Sequence, residues 1–151
     1  MKTIAFTDLP KADQDLLREA VAKIPHSLNK VSNPSTSAIA QTAKAHYPGT
    51  NIFLSNVTLV CAEANALGNA AAAGDRHVTK VAIIISRTDS EPKIVSPCGS
   101  CRQWLHDFAM LNGQVIEIIS ATSKLDEVMI TNSEELLPSG FKSAGLGRMV
   151  A

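Results

Sequence analysis

The chain has 151 residues, 14 of them Lys or Arg and 14 Asp or Glu, so its formal net charge is zero. Apolar residues make up 45 % and charged residues 19 %, an ordinary globular composition that can fill a core. The length suggests one domain, expected over residues 1–151, and the neutral balance lacks the basic excess by which nucleic-acid binders are recognised.

The opening "MKTIAFTDLPKADQ" has its apolar run broken by Asp8 and Pro10, short of the ~7–15 residues of a signal h-region. Nothing approaches the ~20 apolar residues of a membrane span. A cytoplasmic protein with a small-molecule partner, and with neither nucleic acid nor membrane, is the expectation. "KADQDLLREAVAKIP" predicts a helix, since Leu16, Leu17, Ala20, Val21 and Ile24 recur at helical spacing and Pro25 stops it. "HSLNKVSNPS" is turn-rich. "TSAIAQTAKAHYPGTNIFLSN" predicts two strands of a hairpin, bracketed by Pro34 and Pro48-Gly49. "CAEANALGNAAAAG" is an alanine-rich helix ending at Gly74. "VTKVAIIIS" is a β-branched run, a buried strand. "CGSCRQWLHDFAML" is helical and stops at Asn112-Gly113. "QVIEIIS" is a second buried strand and "EVMITN" a short last one. "SEELLPSGF" begins as a helix with Ser133 as N-cap and is cut by Pro138. Strands alternating with helices after Cys61 imply parallel pairing. The expected fold class is α/β, a helix/sheet/helix sandwich with a mixed sheet whose first hairpin is antiparallel.

The three cysteines are Cys61, Cys98 and Cys101. An odd number argues against a disulfide framework. Cys61 opens one predicted helix, and Cys98 and Cys101 open another. Each can sit at a positive helix end, which favours a thiolate. Three thiolates suit Zn²⁺, which prefers four ligands, and catalytic zinc sites keep one position open for water. Glu63 lies two residues after Cys61, where a carboxylate can move a proton between activated water and a substrate. Duller readings remain open for each piece. A lone CxxC is more often redox or structural, Cys61 alone is a buried thiol, and Glu63 alone merely suits a helix N-terminus. A structural zinc would need His26, His46, His77 or His106 as fourth ligand.

Together, "CAE" and "PCGSCRQ" resemble the two zinc motifs of the cytidine deaminase family, in which the acid is not a ligand. "GTN" at 49–51 is similar to that family's strand leading to its substrate asparagine, and "EELLPSGF" to its C-terminal motif. The resemblance covers roughly residues 10 to 141. It implies a three-layer α/β/α fold with a mixed five-stranded sheet, zinc held by Cys61, Cys98 and Cys101, and Glu63 as proton carrier. It further implies a homotetramer, a cytosine-containing small-molecule substrate, ring contacts from the backbone near Ala62 and Ser96, Asn51 facing the sugar, and Phe141 helping to close a pocket.

Two departures stand out. Typical members carry Asn-x-Glu in the strand, and the glutamate holds the ribose 3′-hydroxyl. Here Phe53 occupies that place. It either touches the substrate or fills the core. Many relatives also carry arginine directly after the catalytic glutamate. Here Ala64 stands there, so charge on a zinc–thiolate cluster must be offset by helix ends or by Arg102, which is otherwise a solvated surface residue. Both departures resemble the blasticidin-S deaminase branch of the family. They imply a cytosine-type ring on something other than a normal riboside.

Overall fold

The computed structural model describes residues 1–29, 34–55, 58–87 and 93–143. Its elements are β1 (Lys2–Ala5), α1 (Lys11–Lys23), β2 (Leu28–Asn29), β3 (Ser35–Gln41), β4 (His46–Thr50), β5 (Ile52–Phe53), β6 (Leu59–Val60), α2 (Ala62–Ala72), β7 (Lys80–Ser86), α3 (Gly99–Asn112), β8 (Glu117–Thr122), β9 (Glu127–Asn132) and α4 (Ser133–Leu136). Residues 144–151 of the glycine-containing tail lie outside the described residues.

The main sheet has the order β1-β9-β8-β7-β3-β4. β7 and β8 pair in parallel, and the other neighbours are antiparallel. The central strand β7 explains the layering. Val81 to Ile85 are all buried, because helices cover both faces of the sheet. Alternate side chains then enter two cores. Val81 and Ile83 join Ala38, Ala40 and Ile118 beneath α2 and α3. Ala82 and Ile84 join Ile39 and Ile119 beneath α1, which buries Leu16, Leu17 and Ala20. This is the predicted mixed-sheet α/β/α sandwich. The β7–α3–β8 segment is the parallel crossover read from the sequence.

The sheet carries one strand more than the five expected. β1 pairs antiparallel with β9, Lys2 opposite Ile130. It is an edge strand of four residues, of which only Ile4 is half-buried. No hydrophobic alternation marks it, so the sequence offers no signal. The predicted second hairpin strand also ends early. β4 stops at Thr50, and β5 leaves to form a small separate sheet with β2 and β6. At α4 the cap is Asn132, whose side chain accepts from the Glu135 N–H at 2.9 Å. Ser133, read as the cap, is fully buried with its hydroxyl accepting from the Ile116 N–H.

α2 sets the height of everything at its N-terminus. It lies across the edge strand β4 with Ala62, Ala66 and Ala70 inward. Asn65 and Asn69, one turn apart, donate to the carbonyls of Thr50 (3.0 Å) and Pro48 (2.8 Å). Between those carbonyls sits Gly49. A Cβ there would meet Ala66 N at 2.3 Å and Ala62 O at 2.5 Å. The alanines of α2 and the glycine of β4 are thus one packing device. α3 ends as predicted, with Gly113 in the left-handed region at φ 64°. After α4 the chain folds back onto α3, where Gly140 presses flat on the His106 ring and the Phe141 carbonyl accepts from Gln103 at 3.0 Å.

Candidate metal centre and pocket

The two zinc-type motifs meet because two helices begin at the same place. Cys61 is the N-cap of α2 and Cys98 the N-cap of α3, both in extended backbone. Each carbonyl accepts the first helical bond, from Asn65 (3.0 Å) and Arg102 (2.9 Å). Cys101 follows one turn into α3 and is buried. The sequence therefore points three sulfurs at one spot, each at a positive helix end that favours the thiolate.

The three sulfurs all lie within 4.8 Å of one another, and Cys61 and Cys98 are 3.8 Å apart. Tetrahedral thiolates at the usual ~2.3 Å from zinc stand about 3.8 Å from each other, so the donor set fits Zn²⁺ in kind and in spacing. Its proton chemistry fits as well. A hydrogen bond from Cys101 brings Cys61 down to about 7. The same bond, together with burial and the neighbouring negative charges, drives Cys101 up. Three thiols this close cannot all ionise alone, and a divalent cation removes that conflict. Among the described residues no histidine joins the cluster. His46 pairs with Glu19 (2.6 Å), and His106 is buried under Gly140. A closed four-ligand structural site is therefore not assembled from the described residues.

Glu63 sits one residue into α2 and is 6 % exposed. Burial pushes its carboxyl above the ordinary range, opposed by hydrogen bonds from its own backbone N–H and from the Cys101 side chain. It lines the same cavity as Cys61, Ala62 and Cys98, a space of about 300 Å³. The cavity opens beside the C-terminal half of β7, where Ile83 and Ile85 form its floor. The carboxyl ends of strands in open α/β sheets are where ligands usually bind. The volume is at the small end for small-molecule sites.

The other sequence candidates divide. Asn51, Phe53, Ala62 and Ser96 all line the cavity. Phe53 is half-buried in β5, so it is a wall residue rather than a core filler. Phe141 does not line it; in the single chain it is 74 % exposed on the surface. Arg102 is not the solvated surface residue that one reading of the sequence makes it. It is half-buried, and its guanidinium clamps the loop entering the site, donating to the Pro97 carbonyl (2.8 Å) and the Ser96 hydroxyl (3.2 Å). Sequence reasoning passed over Pro34, Thr36, Leu59, Ile83, Ile85 and Val95. These carry no chemical signal, being strand and loop residues that only the folded chain brings to the cavity.

The fold is shared with solved cytidine deaminases. The Burkholderia pseudomallei enzyme superposes with a TM-score of 0.72 at 26 % identity, over 88 % of this chain and 100 % of that one. The Bacillus anthracis enzyme gives 0.65 at 22 % identity, over 93 % and 96 %. In sequence, a blasticidin-S deaminase of Bacillus cereus is 32 % identical over 90 residues, a match spanning 57 % of this chain and 59 % of that protein. The pattern described as the cytidine and deoxycytidylate deaminase zinc-binding region matches residues 10–116, taking in both helix tips and all three cysteines. That match covers well over half of the chain, and the chain belongs to this zinc-binding deaminase family.

Proposed function

We propose that the protein is a zinc-dependent aminohydrolase that releases ammonia from a cytosine-type ring. The ring is carried on a nucleoside analogue such as a blasticidin-S-like compound, not on an ordinary riboside. The observation behind this is Glu63: a buried carboxylate lining one cavity with Cys61 and Cys98, on the helix that Cys61 caps. Zn²⁺ held by Cys61, Cys98 and Cys101 supplies Lewis-acid activation of water near neutral pH. Glu63 handles the protons. It takes one from the attacking water and passes it to ring N3 as oxygen adds at C4, then takes the second from the new C4 hydroxyl and passes it to the amino group, which leaves as ammonia as the C4–N bond breaks and the carbonyl forms. One water is consumed, and one carbonyl oxygen and one ammonia result. The backbone at Ala62 and Ser96 meets the ring edge, and Asn51 and Phe53 face its substituent. The two helix ends at Cys61 and Cys98 offset the cluster charge in place of an arginine at position 64.

In this reading the enzyme works in the cytoplasm, whose reducing poise keeps the three thiols available. It assembles as a homotetramer in which the exposed Phe141 closes a neighbour's pocket. Sedimentation equilibrium should return four times the 16.0 kDa chain mass.

Ammonia release on cytidine, deoxycytidine, cytosine and blasticidin S, measured side by side, tests the substrate. The likeness to the Burkholderia enzyme favours a second reading, an ordinary cytidine deaminase of pyrimidine salvage. Turnover of cytidine far above the other three compounds would select it.

The Arg102 clamp makes a separate expectation. Arg102→Ala should raise KM about tenfold while kcat falls less than threefold, because hydrogen bonds to a charged group are worth ~1.5–3 kcal/mol and here they shape the cavity wall. Arg102→Lys should restore little, since an ammonium lacks the fork that spans both oxygens. Steady-state kinetics with zinc analysis check this, and a large loss of zinc would assign Arg102 to the metal instead.

A further inference from the structure

We infer that Gln103, oriented by Asp107, is a positioning residue: it ties Phe141 to the helix that carries two of the three cysteines, and so sets where that ring meets a neighbouring chain. The inference rests on the pocket-closing role proposed for Phe141 and names the residues that place it. Phe141 is 74 % exposed, so packing within the chain does little to hold its ring. Its backbone is held instead. The Gln103 amide nitrogen donates to the Phe141 carbonyl at 3.0 Å and to the Asp107 Oδ1 at 2.7 Å. A side-chain amide has two N–H groups, and these two bonds use both. An ionised carboxylate only accepts, so Asp107 decides that the nitrogen of Gln103, not its oxygen, faces the chain.

A second contact fixes the preceding residue. Gly140 lies flat on the buried His106 ring, where a Cβ would stand 2.8 Å from three ring atoms. The His106 Nε2 has no hydrogen-bond partner among the described residues, so the ring serves here as a flat surface. The Gly140 N–H closes a turn on the Leu137 carbonyl (3.2 Å), and the Leu137 N–H donates to the Ser133 carbonyl of α4 (3.3 Å). The strap 137–141 is thus fastened to α4 at one end and to α3 at the other. Because Cys98 caps α3 and Cys101 lies in its first turn, the strap and two metal donors share one helix. Ordering the strap in advance lowers the entropy lost when the Phe141 ring meets its partner.

The test compares the unaltered protein with Gln103→Glu, Gly140→Ala and Phe141→Ala, each zinc-loaded, on the best substrate among cytidine, deoxycytidine, cytosine and blasticidin S. Gln103→Glu keeps the length but sets a carboxylate against two oxygens. KM should rise about fivefold, kcat should change less than about twofold, and zinc should stay at one per chain. Gly140→Ala should raise KM similarly by pushing the strap off His106. Complementation separates positioning from a merely structural effect. Gln103→Glu chains are co-expressed with an about tenfold excess of Glu63→Gln chains, which lack the proton carrier but keep an intact strap. Nearly every working site then has an intact strap beside it, and KM should return to the unaltered value. KM that stays high in the mixture overturns the inference. So does an unchanged KM for Gln103→Glu beside a raised KM for Phe141→Ala, which leaves the pocket-closing role standing. Phe141→Ala without effect overturns that role and the inference together, and leaves the aminohydrolase. Ammonia from none of the four compounds, with zinc bound, overturns all three.

Discussion

Glu63→Gln is expected to lower kcat about 10⁴-fold while zinc stays bound at one per chain. General acid–base groups typically contribute 10²–10⁴-fold, and the upper end is expected because the proposed mechanism gives one carboxylate every proton movement. The loss corresponds to about 5 kcal/mol of transition-state stabilisation. Glutamine keeps the shape and one oxygen but neither accepts nor releases a proton. The fold should tolerate it well. Glu63 is 6 % exposed, and burial disfavours its charged form, so an uncharged amide is no harder to hold. The sulfurs of Cys61, Cys98 and Cys101 that could hold zinc are not altered. Ammonia-release kinetics beside elemental analysis check both halves. Activity within tenfold of the unaltered protein would remove Glu63 from the proton path. Loss of zinc would make it a ligand.

Gly49→Ala should be the most damaging methyl that can be added at any of the described glycines. Its Cβ would lie 2.3 Å from Ala66 N and 2.5 Å from Ala62 O, backbone atoms that no rotamer change can move aside. α2 would have to lift off β4. Overpacking of this kind costs ~1–3 kcal/mol and more where backbone must shift, so about 3 kcal/mol is expected. For a chain of this length that lowers Tm by roughly 6–12 °C. Because α2 begins at Cys61 and carries Glu63, zinc affinity and kcat should fall with it. Gly68→Ala is the control. It lies in the same helix with open space around its Cβ position, and should be neutral or stabilising by up to ~1 kcal/mol. Thermal denaturation of the pair separates a close-packing requirement from a general intolerance of α2 to change. Equal Tm values would refute the packing argument.

The parts of the fold legible in the sequence are those with a strong local or periodic cause. α1 shows its buried stripe, β7 its unbroken apolar run, and α3 its glycine stop, and each lies within a residue or two of its expected place. β1 and the β2–β5–β6 sheet were illegible for the opposite reason. They are edge or two-residue strands held by pairing with distant segments, with little buried side chain to print a pattern. Ser133 was misplaced by one position because Ser and Asn both cap helices. Only the burial of the serine hydroxyl against Ile116 decides between them.

The sequence by itself carried the family and the candidate metal donors. Three cysteines and one glutamate at helix starts carry donor type, charge and spacing, which are local properties. Only the tertiary structure decided what surrounds that chemistry. It turned Arg102 onto the Ser96–Pro97 loop, closed Gly49 against α2, and gathered Phe53, Leu59 and Val95 from three segments into one apolar wall. A cavity wall is made by long-range contact among chemically bland side chains, and no local pattern records which of them will meet.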